Sequence, residues 1–104
     1  MMALKITQQN FQQEVLNSSV PVIVDFWAAW CRPCLMLGPT IEEIASEFEG
    51  AVKVGKVNVD EEGTLANQFR ISSIPTIMLF KEGKPVSQVV GLLRKEDLIK
   101  RFGL

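Results

Sequence analysis

Trp30-Cys31-Arg32-Pro33-Cys34 holds both cysteines of this 104-residue chain, three positions apart. Ahead of it, Val20 to Trp27 is nearly all apolar and β-branched or aromatic, as in a central strand covered on both faces. Behind it, Leu37, Ile41, Ile44, Ala45 and Phe48 recur at helical spacing. Residues i and i+3 of a helix share a face, with Cβ atoms about 5–6 Å apart. A disulfide needs Cα atoms roughly 4.4–6.8 Å apart. One helical turn therefore holds two sulfurs where they can join or separate with little backbone movement. Pro33 suits the first turn of that helix, where its missing N–H is not needed. Cys31 falls at the helix N-terminus, where free N–H groups and the positive dipole end favour a thiolate. The thiolate is the attacking species in disulfide exchange. Cys31 is thus the expected exposed nucleophile, and Cys34, one turn deeper, the resolving thiol. The other readings of the pair are two inert buried thiols, or half of a four-ligand metal or iron–sulfur site completed by a second chain.

Composition narrows the setting. The chain has the length of one domain, spanning 1–104. At 47% hydrophobic residues it can bury a core without disulfide staples. A net charge of −1 argues against nucleic acid or an anionic membrane as the main partner. No apolar run approaches the roughly 20 residues of a membrane span. The start, Met1-Met2-Ala3-Leu4-Lys5, has no apolar leader. The expected compartment is the cytoplasm, where structural disulfides are rare and a close thiol pair points to catalysis. With no His in the chain, proton transfer falls to carboxyl, Lys, thiol or water.

Asp25 interrupts the apolar strand. Strict alternation puts it on the face of Ile23 and Trp27. A buried carboxylate is costly, so it protonates or finds a partner. Asp25 is expected to have a raised pKa and to exchange protons with Cys34, or else to be a structural carboxyl held by backbone or water. Lys56 continues the inward face of Val52 and Val54 and is a candidate neighbour of Asp25, or it snorkels outward.

The remaining elements follow in order. Leu4 to Thr7 is a short strand, and Thr7 caps a helix carrying Phe11, Val15 and Leu16. Ala51 to Val59 is a strand, Leu65, Ala66 and Phe69 mark a short helix, and Thr76 to Phe80 pairs with Val86 to Val90 as a hairpin across Lys81 to Pro85. Leu98, Ile99 and Phe102 stripe a last helix whose cap, Arg94, is a poor one. Pro39 is expected to kink the long helix. Strands and helices alternating before a hairpin make an α/β fold, a mixed sheet with helices on both faces.

Strand, Trp-Cys-x-Pro-Cys and helix together resemble the thioredoxin family. Val24-Asp25-Phe26-Trp27-Ala28, Val57-Asn58-Val59-Asp60, Ile74-Pro75-Thr76 and the Gly91 region extend the likeness over the whole chain. Arg32 stands where the family usually has glycine, and Leu35 where lysine is common. The resemblance implies a five-stranded sheet in the order β1-β3-β2-β4-β5 with four helices, and a protein disulfide reductase that works as a monomer. It implies no bound cofactor or metal. Partners would be disulfide-containing proteins and a thioredoxin reductase drawing on NADPH or ferredoxin. Asp25 would be the buried base. Pro75 would follow a cis bond and pack on the disulfide, while the backbone of Ile74 pairs with substrate. Trp30, Pro33, Ile74 and Pro75 would form a flat apolar docking surface with Val90, Gly91 and Leu92, Arg32 lying beside it. The rivals are an oxidase or isomerase of an oxidising compartment, and a docking module that uses the same apolar face without redox chemistry.

Overall fold

The computed structural model describes residues 2–104; Met1, part of the start read for a leader, lies outside the described residues. The strands are β1 (Leu4–Lys5), β2 (Val22–Trp27), β3 (Lys53–Asn58), β4 (Thr76–Lys81) and β5 (Lys84–Val90). They form one sheet in the order β1-β3-β2-β4-β5. β3 pairs parallel with β1 and β2, while β4 pairs antiparallel with β2 and β5. The helices are a π-helical segment Gln12–Leu16, α1 (Arg32–Glu47), α2 (Gly63–Gln68) and α3 (Lys95–Phe102). None among the described residues is long and apolar enough to cross a membrane.

Apart from Asp25, central β2 is apolar because each of its faces meets a core. Ile23 joins Ile77, Leu79 and Val54 under Leu37, Ile41 and Ile44 of α1 and Leu98 and Phe102 of α3. Val22, Val24 and Phe26 face the opposite core, with Phe11 and Val15 of the π-helical region and Leu65 of α2. Ile41 is fully buried in the first core. Ile41→Ala should therefore cost about 2–5 kcal/mol. Urea unfolding should show an earlier midpoint at an unchanged slope.

Local chemistry trims several elements. Val20 does not reach the sheet, because Ser18 Oγ takes its N–H and donates to its carbonyl. Ala51 and Val52 instead bond to the Phe48 carbonyl at the end of α1, so β3 starts at Lys53. The hairpin turn is tighter than expected. Glu82 and Gly83 carry it alone, at φ 52° and 78°, a two-residue turn matching the strand twist. Pro85 thus lies in β5, an edge strand, beside an irregularity at Leu79/Phe80 where Val86 is extra. Gly83 also has no room for a side chain, since a Cβ there would meet the Leu16 carbonyl oxygen at 3.0 Å. Leu16 meets the hairpin through its backbone, and its side chain is exposed, against the helical stripe expected for it. Thr7 and Asn10 cap that region reciprocally, each side-chain oxygen accepting the other's N–H. α1 continues as one helix through Pro39. Arg94 caps α3 without a side-chain hydrogen bond to its backbone.

Candidate active site

The site lies where β2 ends and α1 begins. Cys31 is the N-cap of α1, in extended backbone, with Arg32 and Pro33 as the first two helical residues. A disulfide joins Cys31 to Cys34, with Cα atoms 5.2 Å apart. Cys34 N–H points at Cys31 Sγ across 3.2 Å. The helix start therefore offers the first sulfur a backbone donor. Access does not separate the two cysteines as expected: Cys31 is 4% exposed and Cys34 2%. They sit in a small cluster with Ala28, covered by Trp27, Val59 and Ile74. In the disulfide form the asymmetry is one of backbone position, not of solvent exposure.

The Ile74–Pro75 peptide is cis. The polar contact on the disulfide comes from Ile74, whose carbonyl oxygen is 3.8 Å from Cys31 Sγ. Pro75 is buried, so it lies behind the exposed area of the expected docking surface, not within it. Its carbonyl accepts the Gly91 N–H at 2.8 Å, which ties the end of β5 to the site. Gly91 has φ +103°, a conformation side chains rarely adopt, and a Cβ there would point into open space. Around this centre Trp30 is 71% exposed, Val90 55% and Leu92 45%. Pro33 and Arg32 are exposed, and Ile74 is half-buried. Leu35 and Met36, one turn along α1, are exposed as well.

Asp60 had no role in the sequence reading, and the structure gives it one. Its Oδ2 accepts the Trp30 indole N–H at 2.8 Å. Asn58 Oδ1 in turn accepts the N–H groups of Asp60 and Glu61, fixing the loop. The available signal was Asn-x-Asp at a strand end, a side chain–backbone turn pattern.

Asp25 is fully buried in β2, and neither carboxyl oxygen has a hydrogen-bond partner among the described residues. Burial pushes its pKa from 3.8 up to about 7, and the charge of Lys56 partly offsets this. Lys56 faces Asp25 in the β2–β3 register but forms no ion pair with it. Its ammonium lies 4.7 Å from the centre of the Trp27 ring, the neighbour that holds it at the strand end. The expectation that Lys56 adjoins Asp25 thus holds for the backbone register, while its charged end goes to Trp27.

Comparison with known proteins agrees with this geometry. The thioredoxin family model matches residues 2–102. "Thioredoxin 1" of Nostoc sp. is 53% identical over 92% of this chain and 90% of its own. "Thioredoxin 2" of Chlorobaculum tepidum is 54% identical over 92% and 88%. "Thioredoxin" of Rickettsia bellii is 50% identical over 95% and 94%. With the family match over nearly its full length and a Cys31–Cys34 disulfide at the start of α1, this chain belongs to the thioredoxin family and is a thiol–disulfide oxidoreductase with protein disulfide reductase activity.

Proposed function

We propose that the chain works as one monomeric domain of the cytoplasm in which Cys31 is the nucleophile and Cys34 the resolving thiol. In the reduced form the Cys31 thiolate attacks one sulfur of a substrate disulfide. A mixed disulfide forms and the first substrate thiolate leaves. Cys34, deprotonated, then attacks Cys31 Sγ. The Cys31–Cys34 disulfide forms and the second substrate thiolate leaves, so two electrons pass to the substrate and both leaving sulfurs take up protons. Asp25 accepts the Cys34 proton in that second step, and Lys56 favours the ionised carboxyl. A reductase partner must return two electrons to the disulfide. Trp30, Pro33, Ile74, Val90, Gly91 and Leu92 receive the substrate chain, with Arg32 at the edge and Pro75 behind.

The observation that carries the reading is a disulfide at a helix N-cap inside a rim of exposed apolar side chains. A rim of that kind excludes water when a partner docks, and it favours the docking-only reading equally. The variant Cys31→Ser/Cys34→Ser separates the two. With dithiothreitol as electron source, the native protein should speed reduction of a disulfide-bonded protein, and the double variant should fall to the uncatalysed background. A double variant that sustains the rate would leave only docking.

A further inference from the structure

The charged groups near the disulfide are almost all engaged within the chain. Asp60 holds Trp30. Lys56 lies over Trp27. Glu61 pairs with Lys5 at 3.5 Å, and Glu62 accepts the Gln8 N–H at 2.9 Å. Asp25 is sealed beneath the surface. Arg32 is the exception: it is exposed and has neither ion pair nor hydrogen-bond partner among the described residues. It follows Cys31 directly and is the first residue of α1, so its backbone is rigidly placed relative to the sulfur. Met36 lies one turn on at i+4, on the same helix face, and is exposed as well. A partner docked on Trp30 and Pro33 thus meets an apolar rim beside which Arg32, directly after Cys31, has no ion-pair partner among the described residues.

We propose that Arg32 is a specificity residue, selecting protein disulfides whose cysteines are flanked by a carboxylate. The inference rests on the reading of Cys31 as the nucleophile. A guanidinium forks onto a carboxylate through two N–H donors. At a rim the pair stays partly solvated, so the expected selection is about 2–5-fold. It should weaken as salt screens the charges.

Three disulfide-bonded peptides test this, identical except for Glu, Gln or Lys beside each cysteine. For each protein the ratios of kcat/KM between peptides are compared, because any change of intrinsic reactivity at Cys31 cancels from a ratio. The native protein should favour Glu over Gln over Lys at low salt, with the spread narrowing at high salt. Arg32→Gln should flatten the order and Arg32→Glu should reverse it. Equal rates with native protein, or a Glu preference that survives in Arg32→Gln, would overturn the proposal. If the folded native protein reduces none of the peptides, the nucleophile reading fails and the selectivity with it. Reduction of all three at one rate rejects the selectivity and leaves that reading standing.

Discussion

Cys34→Ser, mixed with disulfide-bonded proteins, should accumulate covalent adducts through Cys31, while Cys31→Ser should accumulate none. Both variants should lose turnover to the uncatalysed background. The reason lies in the backbone, since both sulfurs are almost equally buried. Cys31 occupies the N-cap, and its sulfur accepts the Cys34 N–H at 3.2 Å. A thiolate there gains that hydrogen bond and the positive end of α1. Cys34 lies inside the first turn, where the dipole favours an anion less. With Cys34 replaced by serine the first attack proceeds, and the adduct has no thiol to release it. Non-reducing gels and mass mapping of the adduct give the readout. Adducts through Cys34 in the Cys31→Ser protein would reverse the assignment.

Asp25→Ala should make the fold more stable above neutral pH and slow the protein as a reductase. The shift from 3.8 to about 7 corresponds to about 4 kcal/mol against the charged form in the folded state. Below about pH 4 the carboxyl is protonated in both folded and unfolded chains, so it adds no pH-dependent cost. Between about pH 4 and 7 the unfolded chain releases the proton and the folded chain keeps it, so stability falls as pH rises. Above about pH 7 both are ionised and the cost levels off. At pH 8 the variant should gain about 2–4 kcal/mol after the small cavity is counted, and the gain should vanish near pH 4. Turnover should drop at least about tenfold for want of an internal base. Urea titrations at the two pH values, with assays on the same samples, provide the check. A less stable variant with unchanged turnover would make Asp25 a structural residue only.

The central strand was legible because its determinants are local, while the strand order came from the family resemblance. A nearly continuous apolar run reads as a strand covered on both faces, and Ile23 and Val24 do enter opposite cores. The cysteine spacing likewise implied one helical turn, and the disulfide spans one. Element ends were read less well, because they depend on competing hydrogen bonds. Ser18 takes the backbone of Val20, and Glu82 and Gly83 close a turn that looked longer.

Sequence alone determined the element order, the helix-start position of the thiol pair and the placing of a carboxyl inside an apolar strand. Those follow from periodicity and residue type, which neighbours in the chain fully specify. Tertiary structure alone decided that both sulfurs are shielded, since Trp27, Val59 and Ile74 converge on them from three separate segments. It decided that Asp60 grips Trp30 across 30 positions. It also sent the Lys56 ammonium to Trp27 and left Asp25 without a hydrogen-bond partner among the described residues. Burial and pairing depend on what distant segments bring to the same place, and no local pattern carries that information.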